Sequence, residues 1–265
     1  MSPTSYRYPK EQLILAFTMF LVFLVIAVTA TATLCTGAVF VVAFVIFSYT
    51  ASKANHQALI AQAQHVTSQT LPGLAEIVRR GVSRLRPGPV EVFVVPSRQL
   101  NAYTFGLSSP KVVVLYAALF KVMDEDEISF ILGHELGHVA LGHTWLNSLL
   151  GGMAGIPASF SAAIILSGAF LWWNRTCEFS ADRAGLLACG RLDKAVSALI
   201  KLVAPGADTA AELQAAYQQL DAEDDNPWNN LVEGLASHPM LIKRIDALRR
   251  YAGTREYKQL QARMA

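Results

Sequence analysis

No charged residue lies between Glu11 and Lys53, and the run from Leu13 to Tyr49 is almost continuously apolar. Such a stretch has no place in water and must enter a core or a bilayer. As a single helix it would be about 55 Å long, against a hydrocarbon layer of about 30 Å. Two helices of about 17 residues match that thickness. The turn between them falls at Thr29-Ala-Thr-Ala-Thr33 through Thr36-Gly37. A cleaved signal peptide is the rival reading, with Arg7 and Lys10, an apolar segment from Leu13, and small residues near Ala30 and Ala32. That rival leaves Ala38 to Phe47 without a role. The sequence therefore predicts an N-terminal tail over 1–11 and a transmembrane helical hairpin over 12–52.

A hairpin returns both ends to one side of the bilayer. Arg7 and Lys10 precede it, while Lys53 and the cluster Arg79, Arg80, Arg84 and Arg86 follow it. That bias favours the cytoplasmic face. The arginine cluster reads as a solvated helix face or, more sharply, as a contact for anionic lipid headgroups.

Over the whole chain only 16% of residues are charged and 53% are hydrophobic, where a soluble domain carries about 25% charge. The deficit is local, confined to the first apolar run and to a second uncharged stretch, 144–174. Elsewhere the composition is ordinary, and residues 53–265 suffice for one globular domain. A net charge of +2 gives no reason to expect nucleic acid. Cys35, Cys177 and Cys189 are odd in number and lack C-x-x-C spacing, which argues against a disulfide framework.

Within that domain, Pro89 to Pro96 reads as a strand bounded by prolines. Asn101–Phe105 and Lys111–Leu115 read as two more, paired as a hairpin through Gly106-Leu-Ser-Ser-Pro110. Asp124 with Glu127 is a capping box and opens a helix. Beyond the second apolar stretch, helices are expected over about 176–189, 193–204, 208–222, 227–236, 239–252 and 255–263. Their predicted N-caps include Asp193, Asp208, Ser237 and Thr254. A small sheet with many helices is a mostly helical α+β domain.

The helix opened by Asp124 carries His134-Glu135-Leu136-Gly137-His138. Two histidines four residues apart share a helix face and reach one ion, and the glutamate beside the first can act as general base. This is the H-E-x-x-H pattern of zinc peptidases. A catalytic zinc needs a third protein ligand. His143 fails, because five residues after His138 it lies about 140° round a continuous helix. It is expected to be exposed or interfacial, near the helix end. Glu178 is the better candidate. It shares a helix face with Asp182 at i, i+4, and Asp182 can accept the spare ring N–H of a ligand histidine. The plain alternative is a solvated acidic face pairing with Arg175 or Arg183.

If Glu178 is a ligand, the stretch 144–174 begins and ends on one membrane face. Its 31 residues are too few for two spans, which need about 40. The segment Gly151-Gly-Met-Ala-Gly-Ile-Pro157 supplies a break. The stretch is expected to be a helical hairpin dipping into the bilayer, with Trp172 and Trp173 at the interface, or an apolar hairpin packed inside the domain.

Four separated features together resemble the HtpX-like and CAAX-prenyl-protease-like membrane zinc endopeptidases, which are gluzincins. They are Asn101-Ala102-Tyr103 ahead of a Val-rich strand, His134-Glu-Leu-Gly-His138, Glu178-Phe-Ser-Ala-Asp182, and Ser237-His238-Pro239 with Arg244-Ile245. The resemblance covers roughly 71–252. The stretch between ligands is shorter than the two full spans of HtpX-type members.

The resemblance implies one Zn2+ per chain on His134, His138 and Glu178, with Glu135 as general base. It implies His238 as a second electrophile for the oxyanion, and Arg244 as an anchor to the acidic pair. Asn101, Ala102 and Tyr103 would edge the substrate cleft, and the Asn101–Phe105 or Lys111–Leu115 edge could bind an extended peptide by strand addition. It also implies an integral protein of the bacterial inner membrane with a cytoplasmic catalytic domain, acting on unfolded or membrane polypeptides in quality control. Two rivals stand beside it: a processing or signalling protease with one dedicated substrate, and an inactive membrane scaffold with a vestigial zinc site.

Overall fold

The computed structural model describes residues 3–32, 36–150, 161–224 and 241–264. After a 3-10 turn at Pro3–Tyr6 come α1 (Glu11–Ala32) and α2 (Thr36–Ile60). Then follow β1 (Gln64–His65), α3 (Pro72–Leu85), β2 (Val90–Val95), β3 (Ala102–Phe105), β4 (Lys111–Tyr116) and a short α4 (Leu119–Val122). The remainder is helical: α5 (Glu125–Leu141), α6 (His143–Leu150), α7 (Ser161–Cys189), α8 (Leu192–Lys201), α9 (Ala210–Asp224), α10 (Leu241–Ala252) and a last helix, Arg255–Met264. The architecture is mostly helical with one small mixed sheet.

Among the described residues α1 is the one helix long and apolar enough to cross a membrane, through its window Glu11–Val28. Leu13, Phe17, Phe20, Phe23 and Val28 stand exposed along it. Its inner side packs on α7, where Ile14, Trp173 and Cys177 make a small core of their own. The expected turn between α1 and α2 runs through residues 33–35, outside the described residues.

The second apolar stretch differs from expectation in one respect. Residues 151–160, with the expected Gly/Pro break, lie outside the described residues. From Ser161 onward, however, α7 is one helix of 29 residues, so the helix expected to start near 176 is the end of a longer one. Its sequence holds no proline, and a lone glycine such as Gly168 does not stop a packed helix. Trp172 is exposed and touches Phe17 edge-on, but Trp173 is buried against α1. Only the first of the two tryptophans stands where an interfacial residue would.

The sheet has the order β1-β2-β4-β3. β3 and β4 form the expected antiparallel hairpin, with Ala102 opposite Leu115 and Phe105 opposite Val112. β2 runs parallel to β4, which makes β4 an interior strand. Val113, Val114 and Leu115 are fully buried there, as a continuous apolar run requires of a strand covered on both faces. Lys111–Leu115 is therefore no edge, and of the two expected peptide-binding strands only β3 is terminal in the sheet. The two-residue β1, too short for any periodicity, went unpredicted.

The capping box forms as expected: the Asp124 side chain accepts from the Glu127 amide, and the Glu127 carboxylate accepts from the Asp124 amide. The helix it starts lies against α7 along a seam of small residues. A Cβ on Gly137 would stand 2.5 Å from the Ala184 Cβ and 3.3 Å from the Ala181 Cα. A Cβ on Gly133 would strike Ala188, and one on Gly185 would stand 2.8 Å from the Phe130 carbonyl oxygen. Missing side chains on both helices thus let the two backbones approach. Leu132 and Leu136 of α5, Leu186 and Leu187 of α7, Leu199 of α8 and Ile245 of α10 fill the main core around the seam.

Thr254 caps the last helix as expected. Thr209, rather than Asp208, caps α9 through reciprocal bonds with Glu212. Asp193 sits inside the first turn of α8, paired with Arg191. The helix expected over 227–236 and the Ser237 cap lie outside the described residues.

Candidate metal centre

The seam sets two helical turns face to face: His134 and His138 from α5, Glu178 from α7. The His134 and His138 Nε2 atoms are 3.1 Å apart. The Glu178 carboxylate lies 3.4 Å from the His138 Nε2 and 3.6 Å from the His134 Nε2. Ligands about 2.0–2.1 Å from a tetrahedral zinc are about 3.3 Å from one another. The two Glu178 distances belong to different oxygens, Oε1 toward His138 and Oε2 toward His134, and all three contacts are near that spacing.

Proton bookkeeping leads to the same donor set. The His134 Nδ1 is 2.9 Å from the Asp182 Oδ1. An ionised carboxylate only accepts, so Nδ1 carries the hydrogen, and on the neutral ring Nε2 is left as the lone pair. Asp182 is kept ionised by Arg244, whose Nε and Nη2 donate to its two oxygens at 2.8 and 2.7 Å. The Arg244 Nη1 reaches the Glu178 Oε2 at 3.0 Å. Burial pushes the Glu178 carboxyl up, but the Arg244 charge and the two histidines outweigh it and hold the group well below the usual carboxylate range. Burial lowers His134, and the Asp182 hydrogen bond with the two carboxylate charges more than reverses that. The three donor groups lie close enough together to hold one metal ion, and the residues fit it.

Glu135, next along α5, is buried, and desolvation raises its carboxyl above the ordinary value.

His143 is corrected. It is neither exposed nor interfacial, with 1% of its surface accessible, and its Nδ1 lies 2.9 Å from the Nδ1 of His138. The expectation assumed one continuous helix. Instead α5 ends at Gly142, whose φ of 79° is left-handed, and α6 restarts at His143 with a new phase. On its far side the His143 Nε2 meets the Glu11 Oε1 at 3.0 Å. Burial pushes the His143 imidazole down to about 4, so it is neutral at physiological pH. His143 thus stands behind His138 rather than beside it.

Arg183 is not the partner of the acidic pair; its guanidinium lies over the rings of Tyr8 and Tyr251. Of the expected cleft residues, the Asn101 carbonyl accepts from the Tyr116 amide and Ala102 opens β3. The Tyr103 hydroxyl meets the His56 Nδ1 at 3.1 Å, and the His56 ring stacks on Phe105 at 4.0 Å, so the end of α2 lies across this strand. β3 itself runs beside α5. His238 lies outside the described residues.

Residues 68–252 match the Peptidase family M48. The chain belongs to that family. It is thereby an HtpX-like member of a class of metal-dependent peptidases, and its H-E-x-x-H helix lies inside the matched span. It is 30% identical over 231 residues to Protease HtpX of Xanthomonas oryzae pv. oryzae, covering 72% of this chain and 77% of that protein. Protease HtpX of Nitrosococcus oceani is 27% identical over 216 residues, 69% of this chain and 72% of its own length. The plastoglobule-localized metallopeptidase 48 of Arabidopsis thaliana chloroplasts is 30% identical over 188 residues, 65% of this chain. The match spans only 55% of that plant protein's length.

Proposed function

We propose that the protein is a membrane-anchored zinc endopeptidase that cleaves unfolded or membrane polypeptides, its catalytic domain on the cytoplasmic face of a bacterial inner membrane. One observation supports the chemistry: three donor groups from two helices, His134, His138 and Glu178, gathered closely enough to hold a single ion. Zinc held there would lower the pKa of a water and polarise a scissile carbonyl.

The remaining work falls to this chain's side chains. Glu135 takes the proton of the attacking water and returns it to the leaving amine. Asp182 holds His134 in its ligating tautomer, and Arg244 neutralises Asp182 and Glu178 together. His238 is assigned to the developing oxyanion on the strength of the family resemblance. The terminal strand β3, with Asn101, Ala102 and Tyr103, takes an extended peptide by strand addition, which recognises backbone and tolerates many sequences. That tolerance suits unfolded substrates.

Anchoring rests on the apolar window of α1, and the reading adds α2 as the second arm of a hairpin. A reporter fused after Ala265 is expected to give a cytoplasmic signal, and a periplasmic signal would overturn the topology. The catalytic test is Glu135→Gln. The variant should bind zinc one to one and lose at least about 100-fold in cleavage of an unfolded membrane-protein substrate. Wild-type protein without zinc, or a Gln variant that cleaves like wild type, would refute the peptidase reading.

A further inference from the structure

The two groups behind His138, the His143 imidazole and the Glu11 carboxylate, form with it a chain that the proposed chemistry leaves without a role. The His138 Nδ1 meets the His143 Nδ1 at 2.9 Å, and the His143 Nε2 meets the Glu11 Oε1 at 3.0 Å. Glu11 in turn pairs with the Arg7 guanidinium and accepts from the Ser180 hydroxyl. All three members are buried, Glu11 and His143 almost completely. We propose that Glu11 and His143 are positioning residues for His138, making the segment in front of the apolar helix a working part of the metal site. The inference rests on His138 being a metal ligand.

Donor and acceptor roles fix the direction of the chain. Glu11, ion-paired with Arg7, accepts as a carboxylate, so the hydrogen between it and His143 sits on the His143 Nε2. A neutral imidazole has one N–H, which leaves the His143 Nδ1 bare and able only to accept. The hydrogen between the two rings must then belong to the His138 Nδ1. The His138 Nε2 is left as a lone pair aimed at Glu178 and His134. A carboxylate two residues removed from the metal therefore selects the ligating tautomer, with a histidine transmitting the choice. Reversing either bond would put a hydrogen on the metal-facing nitrogen.

Glu11, His143 and Cys177 are also close enough to hold a cation of their own. The direct Glu11–His143 hydrogen bond and the Arg7 charge on the same carboxylate oxygen favour the chain of bonds over a second ion. Residue placement adds a physical link. Glu11 begins α1, the apolar helix, and Arg7 also donates to the Leu141 carbonyl at the end of α5. Seating of α1 and seating of His138 thus share the same atoms.

The test uses the full chain in detergent, with zinc affinity read by chelator competition and folding read by thermal melting. Glu11→Ala and His143→Phe should each weaken zinc binding about 10- to 100-fold. Because the groups act in series, the double variant should bind no more weakly than His143→Phe alone. Glu11→Gln, whose amide oxygen still accepts, should recover most of the loss. Ile14→Ala, which loosens the α1–α7 contact without touching the chain of bonds, should leave zinc affinity unchanged. If Glu11→Ala does not fold, His143→Phe against His143→Asn makes the same comparison, since the Asn Oδ1 can accept from His138. Wild-type affinity in His143→Phe while His138→Ala loses zinc would overturn the inference and spare the metal site. So would multiplying losses in the double variant, an equal loss in Ile14→Ala, or a second equivalent of zinc in wild type that Cys177→Ser removes. Undiminished zinc in His138→Ala would instead remove the metal-site reading on which the inference stands.

Discussion

The two histidines of a single helical turn are braced in unlike ways. Behind His134 stands an ion pair, Asp182 with Arg244, supplied by α7 and α10 within the family-matched residues 68–252. Behind His138 stands a neutral imidazole, and behind that Glu11, from a segment outside the matched span. The first brace is charged at its first link, and its guanidinium is buried with it. The second brace puts its charge one ring further off, and Arg7 at its end retains some access to solvent. One histidine is thus held by the domain, the other by the domain's junction with its apolar helix. The difference predicts unequal costs when each is cut.

The largest effect should follow Asp182→Ala. It strands the Arg244 charge in the interior with only Glu178 to face, and breaking a buried pair this way costs about 3–5 kcal/mol. We expect a metal-free protein that melts far below wild type in detergent, with zinc affinity reduced as well. Glu11→Ala should lose much less stability, because Arg7 can turn toward water. Equal melting losses in the two variants would erase the distinction between the braces.

Gly137→Ala strikes both braces at once, since each depends on the spacing of α5 from α7. The added methyl would stand 2.5 Å from the Ala184 Cβ, a side chain with no room to yield. Overpacking of this kind costs about 1–3 kcal/mol. Separation of the helices also pulls Glu178 from the two histidines, so zinc affinity should fall together with stability. A variant that melts early yet binds zinc as wild type would mean that the seam supports the fold without setting the site.

The same two braces explain what was legible in the sequence. His134, Asp182 and Glu178 could be read because each relation is local: i, i+4 on α5 and i, i+4 on α7, joined by the need for a third ligand. The interior β4 announces itself in its Val-Val-Val-Leu run, which a strand covered on both faces requires. His143 was misjudged because angular arithmetic holds only along an unbroken helix, and Gly142, a standard C-terminal signal, resets the phase. Glu11 could not be found, since nothing in a single sequence ties it to a residue 132 positions away. The seam was readable but missed. Gly133 and Gly137, four residues apart, face Ala188 and Ala184, also four apart, a stripe of small residues on each of two helices that meet.

The smallest effect should come from Asp124→Ala, at the start of α5 and away from both braces. Losing the capping carboxylate costs about 1 kcal/mol, partly screened because Asp124 is half-exposed. Asp124→Asn, which keeps the capping acceptor, should cost less. The pH dependence has a definite sign. Burial acts to raise the Asp124 carboxyl, but its bonds to Lys194 and to the Glu127 amide prevail and set it below the ordinary 3.8. Its contribution is therefore complete above about that pH and is lost as the pH falls through the lowered value. Denaturation of wild type and Asp124→Ala should accordingly differ at neutral pH and converge in strong acid. Zinc affinity at neutral pH should be the same in both, because the cap holds the first turn of α5 while His134 and His138 are held from behind by their own partners. A drop in zinc affinity here would show that the whole helix moves as one rod, and would make the two braces a single one.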